Sequence, residues 1–330
     1  MTRFFAYLLF FTSLFSAIEA FAESQAVVLI PGTLNSVAPG SYKWDSARWI
    51  LEVSPYFSQD ISEAFKKQGF DVYVVKNLHP TGDLLANGES AAQQIRIWYS
   101  EKYGRQKKPP ITLVAHSAGG FYALEAATQL VDLPIRQVIC LSTPLKGMEL
   151  ARFFFEPEGR WARFWSWVLH PFQKMFDYRG LTSVTPVRVK DFLSQVRLSR
   201  ETEVWGIAGQ QDPPHHWREV NDPHRLSPLF ALAQRWIQKP SDGMVTVESA
   251  LGQGVELART QGQPISVHSM PEVVLNLDHA KQVFDYRIFK IMGIRESEWI
   301  QAEQQRFYGE LATMIKQKLK SSPKKQADHH

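Results

Sequence analysis

One cysteine, Cys140, occurs in 330 residues. A single thiol cannot close an internal disulfide, so stability has to come from the core. Cys140 sits in the apolar, strand-like run QVICLS and reads as a buried, inert thiol. Charge of one sign is also scarce: 37 basic against 33 acidic residues leave a formal +4. Lys316, Lys318, Lys320, Lys324 and Lys325 crowd the end of the chain, so its body is close to neutral. A nucleic-acid reader carries a basic stripe across its fold, and none is visible, which excludes nucleic acid as an expected partner. Internal repeats are lacking. What remains is a chain with 44% apolar and 21% charged residues, enough to bury a substantial core in one large domain or two small ones.

Long hydrophobic runs are lacking as well. The run from Phe4 to Ile18 falls short of the roughly 20 residues that a spanning helix needs. Arg3 precedes it, and Ala20, Phe21 and Ala22 follow with the small-x-small form of a signal-peptidase site. Residues 1–22 therefore read as a cleavable secretory signal, with an uncleaved anchor as the alternative. The mature chain would then be periplasmic or secreted.

From residue 23 to 318, short apolar runs alternate with stretches of helical period. AVVLI (Ala26 to Ile30), FDVYVV, ITLVA, RQVICLS, TEVWGIAG and PISVHSM read as strands. SQDISEAFKKQG, NGESAAQQIRIWYSEKYG and GFYALEAATQL read as helices between them, Gly69 stopping the first. Such alternation predicts an α/β fold whose mostly parallel central sheet is covered by helices on both faces. Ligands of such folds bind at the carboxyl ends of the strands. One interval, about 149–186, interrupts the pattern with a dense set of aromatics. Trp161, Phe164, Trp165 and Val168 share a helical face that Pro171 ends, which predicts an inserted aromatic-rich helical cap over a pocket; ordinary core is the alternative. Residues 319–330 read as a basic, solvated tail.

The stretch ITLVAHSAGG runs a strand into Ser117 and on into a helix. A nucleophile on such a turn is pushed clear of the sheet, and small residues must flank it because strand and helix backbones nearly touch. Ala115 and Gly119 occupy those positions in A-x-S-x-G. A serine hydroxyl needs a base, and the base needs a carboxylate to orient it. In this architecture they follow in the order Ser, Asp or Glu, His. His279, between the last apolar run and a helix read from AKQVFDYRIFKIM, is the candidate base, whereas His268 inside PISVHSM reads as structural. Asp242, in the turn SDG, is the chosen carboxylate and Asp212 the second candidate. Asp278 would have to fold back on its neighbour. Backbone amides of Ala118, and of Thr33 in IPGTLNS, are the candidate oxyanion donors. Asp212, His215, His216, Asp222 and His224 gather metal-ligand types in one loop, without zinc-like spacing such as H-E-x-x-H; they read as a polar surface.

VVLIPGTLNS, GESAAQQI ahead of ITLVAHSAGG, LSTPLKGMELA, SDGMVTVESA and LDHAKQV stand in the order seen in α/β-hydrolases, and the chain most resembles bacterial lipases and esterases of the triacylglycerol lipase type. The resemblance covers most of Val27 to Phe284 and leaves the cap and tail unmatched. It implies an α/β-hydrolase fold, no cofactor, nucleophile Ser117, acid Asp242, base His279, and oxyanion amides from Thr33 and Ala118. The substrate implied is a small-molecule or lipid ester, and the aromatic face of the cap predicts an apolar acyl chain and peripheral contact with a lipid surface. Acyltransferase or thioesterase chemistry would use the same machinery, and a non-catalytic ligand-binding protein on a hydrolase scaffold is the alternative of another class. Two departures stand out. Pro31 replaces the histidine many relatives place before the glycine, and AKQ after His279 lacks an aspartate that helps hold calcium in some lipases, which predicts no calcium requirement.

Overall fold

Strands built from consecutive apolar residues can be buried on both faces, and the first of them shows it. In β1 (Gln25–Ile30), Ala26, Val28 and Ile30 face one core and Val27 and Leu29 the other. Each of these valine, leucine and isoleucine side chains contributes about 1.5–3 kcal/mol when fully buried. The computed structural model describes residues 25–32, 56–79, 83–104, 108–155, 182–271, 275–291 and 293–321. The signal expected at 1–22, Thr33, the helical face of the expected cap from Trp161 to Val168, and the tail beyond 321 lie outside these residues.

After β1 the chain continues through α1 (Gln59–Lys67), β2 (Phe70–Val74), α2 (Leu84–Tyr103), β3 (Ile111–His116), α3 (Gly119–Gln129) and β4 (Ile135–Leu141). Then come α4 (Glu149–Phe155), α5 (Pro186–Gln195), β5 (Arg197–Leu198), β6 (Glu203–Ile207), α6 (Pro228–Ile237) and α7 (Val247–Leu251). The described chain closes with β7 (Glu256–Arg259), β8 (Ile265–Ser266), β9 (His268–Ser269), α8 (Tyr286–Ile291) and α9 (Glu298–Ser321). Six strands form a parallel sheet in the order β2-β1-β3-β4-β6-β9. Helices α2, α3 and α5 pack on one face, and α1, α8 and α9 on the other. This is the α/β-hydrolase architecture expected from the sequence. Among the described residues no helix is long and apolar enough to cross a membrane.

The strand order positions the site. From β1 the chain passes to β2 on one side, whereas from β3 it passes to β4 on the other. The carboxyl ends of β1 and β3 therefore flank a topological switch point, the place where folds of this class bind their ligands.

Three details depart from the sequence reading. PISVHSM is not one strand: Ile265 and Ser266 pair antiparallel with β7 in a small second sheet, and His268 and Ser269 pair parallel with β6. Val267 between them donates its amide to Val255, so the chain changes sheets within one residue. The last expected helix starts later, at Tyr286, after Asp285 has accepted the Arg287 amide at 2.9 Å. Helix α9 extends through Ser321, past the expected boundary at 318, because Phe307, Tyr308, Leu311, Ala312, Ile315 and Leu319 keep one apolar face against the sheet.

Candidate active site

Ser117 stands between β3 and α3 with φ at +57°, a left-handed backbone that a residue other than glycine adopts at a cost of order 1–3 kcal/mol. Surroundings hold it there. Its amide donates to Leu141 O at 2.9 Å, and its carbonyl accepts from Thr143 Oγ1 at 2.9 Å. The flanking positions must be small for a measurable reason: a Cβ on Gly119 would come within 2.5 Å of Ile30 O and 2.7 Å of Pro31 O. On Gly32 it would meet the Ser117 Cβ at 2.8 Å. The end of β1 thus presses directly on the turn that exposes the serine. Ala118 is the N-cap of α3, so its amide is among those that a helix leaves without an intrahelical partner.

His279 Nε2 lies 2.9 Å from Ser117 Oγ, and its Nδ1 lies 2.7 Å from Asp242 Oδ2. The three residues come from three separate loops, and the main chain helps to join two of them, since the His279 amide donates to Asp242 O at 3.0 Å. Asp242 is fully buried. Burial alone would raise its pKa, but His279 and the amides of Val245 and Met244 outweigh it and hold the carboxyl below its usual range. Those amides meet Oδ1 at 2.8 and 3.0 Å, while Gln282 Nε2 donates to Oδ2 at 3.0 Å. Chemically, the arrangement can take a proton from the Ser117 hydroxyl onto an imidazole whose far nitrogen already faces a carboxylate.

Behind these residues lies a second set. His116 Nε2 faces Gln282 Oε1 at 3.1 Å and its Nδ1 faces the Tyr56 hydroxyl at 2.6 Å. Burial drives the His116 imidazole well below its ordinary pKa, and the neighbouring His279, with ring centroids 4.6 Å apart, pushes it the same way. Burial likewise raises the Tyr56 phenol.

The sequence model of the alpha/beta hydrolase family matches residues 27–284, which hold Ser117, Asp242 and His279. The chain belongs to that family. No curated protein matches it. Among solved structures this chain is similar to a metagenomic carboxyl esterase, with a TM-score of 0.56 and 17% identity over 88% of this chain and 76% of that one. It is similar also to lipase 1 from Pelosinus fermentans, with a TM-score of 0.56 and 15% identity over 89% and 99% of the two chains. The mature form of the Bacillus licheniformis lipase BlEst2 gives 0.50 and 19% over 90% and 92%. Against the propeptide form of BlEst2, the chain covers only 46% of that protein's length. Identities at this level carry the fold.

Other candidates lie elsewhere. Asp212, the second choice of carboxylate, is exposed and faces Arg225 at 3.8 Å. Asp278 does not reach His279; it is fully buried and binds Ser227 and Lys281. The His268 ring stacks on Trp205. In the loop of ligand types, Glu219 accepts from the His215 amide and pairs with Arg225, and the His224 ring lies against Trp299. Cys140 is fully buried in β4, and burial pushes its thiol up to about 12.

Sequence reasoning missed four residues: Tyr56, His116, Lys281 and Gln282. His116 had a signal, since a polar side chain within a strand buried along its whole length needs partners. Lys281 is fully buried, and its ammonium meets Gln211 Oε1 at 3.0 Å, Pro223 O at 3.3 Å, Arg225 O at 2.5 Å and Asp278 Oδ2 at 3.1 Å. Burial lowers its pKa, and Asp278 works against that shift. Nothing in HAKQ distinguishes this lysine from an exposed one.

Proposed function

We propose that the chain is an exported serine hydrolase that cleaves carboxylic esters of apolar acyl groups, as a lipase or carboxylesterase. The observation that carries the reading is the unbroken line from Ser117 Oγ through both nitrogens of His279 to the buried Asp242, with contacts of 2.9 and 2.7 Å. Ser117 Oγ attacks the ester carbonyl while His279 Nε2 takes its proton. Asp242 keeps the imidazole oriented and stabilises the imidazolium that forms. The Ala118 amide, with that of Thr33, receives the negative charge on the tetrahedral oxygen. His279 then returns the proton to the departing alcohol, and water releases the acyl group by the same steps in reverse roles. The aromatic content of the 149–186 interval supports an apolar acyl group, because such side chains bury hydrocarbon. Ester hydrolysis is also what the similar folds are named for. Residues 1–22 would direct export, leaving a mature chain that begins at Glu23 in the periplasm or outside the cell.

The test is hydrolysis of p-nitrophenyl esters from acetyl to palmitoyl by the mature protein, beside Ser117→Ala and Asp242→Asn. The expected result is turnover with a chain-length optimum that both substitutions remove. A folded wild type silent on every ester would defeat the reading. N-terminal sequencing of protein expressed with the full leader checks the export step.

A further inference from the structure

The hydrogen bonds behind the Ser117–His279–Asp242 line admit only one direction, and that direction follows from chemistry alone. Gln282 Nε2 faces Asp242 Oδ2 at 3.0 Å and Leu277 O at 3.3 Å. A carboxylate and a carbonyl can only accept, so the group between them is the amide NH2 and its oxygen is the atom turned toward His116. An amide oxygen also only accepts. His116 Nε2 must therefore carry a proton, and in a neutral ring Nδ1 is left as the acceptor. The Tyr56 hydroxyl, 2.6 Å away, must then donate to it. This leaves the Tyr56 oxygen free to accept, and the Gly32 amide donates there. Proton donation thus runs from Gly32 through Tyr56, His116 and Gln282 to Asp242, with no member able to reverse it.

The two ends of this chain are the functional parts. Gly32 stands where β1 ends, pressed against Ser117 and immediately before Thr33. Asp242 is the carboxylate that orients His279. We propose that Tyr56, His116 and Gln282 are positioning residues that tie Gly32, beside Ser117 after the end of β1, to the carboxylate of Asp242, so that the nucleophile and the group that orients its base keep one spacing. The inference rests on the ester-hydrolase reading for what the centre does, but not for the direction of the bonds. Its members are almost wholly enclosed: Gln282 is fully buried, His116 is 1% exposed and Tyr56 is 8% exposed. A chain sealed in this way cannot exchange its partners for water, so each link holds the next in its tautomer. It also keeps His116 neutral beside the imidazolium that His279 becomes in the reaction.

Two measurements test it. Selective 15N labelling of histidine in the full mature protein reads the His116 tautomer directly; a neutral ring protonated at Nε2 is expected, and a ring protonated at Nδ1, or at both nitrogens, would overturn the chain. This outcome does not depend on any substrate. In the second, Tyr56→Phe and Gln282→Leu are assayed alone and together on p-nitrophenyl butyrate, per active site titrated with a fluorophosphonate. Each single change should lower kcat by about 10- to 100-fold, the scale of a misplaced reacting group, with KM within about twofold. The double variant should lose clearly less than the product of the two single losses, because both break one chain. Either single variant with kcat within twofold of wild type, or multiplicative losses, would sink the proposal. Wild-type turnover that Ser117→Ala abolishes separates these failures from failure of the hydrolase reading itself. Should a variant not fold, the histidine spectrum of the wild type decides.

Discussion

His279 is bracketed by two fully buried carboxylates that are built alike and used differently. Each turns Oδ1 back onto its own loop. Asp242 accepts there from the amides of Met244 and Val245, Asp278 from those of Ala280 and Lys281. Each presents Oδ2 to a partner side chain. For Asp242 this is the His279 imidazole, whose other nitrogen looks onto Ser117; for Asp278 it is Ser227 and the Lys281 ammonium, itself enclosed by three further oxygens. The His279 side chain keeps 12% of its surface exposed and that of Lys281 none. One carboxylate is connected to a group that can hand a proton onward. The other ends in a closed cage. Burial and a hydrogen-bonded partner thus do not distinguish the two carboxylates; what lies beyond the partner does.

Substitutions on the two sides should separate accordingly. The largest effect belongs to Ser117→Ala, which should cut kcat by about 10⁶ with thermal stability preserved, read by ester turnover and a melting curve. Next, Asp242→Asn should lower kcat by about 10⁴ while KM stays near its wild-type value. On the other side, Lys281→Met leaves the Asp278 charge buried without its counter-charge, and should cost about 3–5 kcal/mol in urea unfolding. Adding Asp278→Leu to it should restore part of that loss, since an apolar pair no longer strands a charge. A double variant weaker than Lys281→Met would remove the cage from the account.

Acid provides a finer contrast. The folded pKa of Asp242 lies below its unfolded value of about 3.9, so its contribution to stability is complete above that value. It is lost as pH falls through the folded value. Asp242→Asn should therefore lower stability near neutrality and flatten the fall in stability below about pH 4, measured by chemical unfolding across pH. The smallest effect is expected at Asp212, exposed and only loosely paired: Asp212→Asn should leave stability within about 0.5 kcal/mol and turnover unchanged.

The sheet, and the three residues that meet beside it, were legible in the sequence because they rest on local signals. Apolar runs marked β1, β3, β4 and β6, the small residues around Ser117 marked its turn, and the position of His279 between an apolar run and a helix marked its loop. Asp242 could be preferred over Asp212 from its rigid turn, and the two differ in the fold as fully buried against exposed. The supporting residues were not legible. Tyr56, His116 and Gln282 meet across separations of 60 and 166 positions, and no local pattern encodes such meetings. PISVHSM misled for a related reason: alternation predicts a strand but is silent on which neighbour each half will choose. The boundary at 318 fell short because Lys316, Lys318 and Lys320 read as a solvated tail, whereas Leu311, Ile315 and Leu319 of the same helix pack with the sheet.

The cage around Lys281 has a further consequence. The positive charge that joins the segment from Gln211 to Ser227 to the segment carrying His279 belongs to the polypeptide. An exchangeable ion at such a place is held only while its free concentration exceeds its dissociation constant, whereas a tethered ammonium has a local concentration set by its own backbone. Dilution, dialysis and chelation, which empty ion sites by mass action, have no hold on this one.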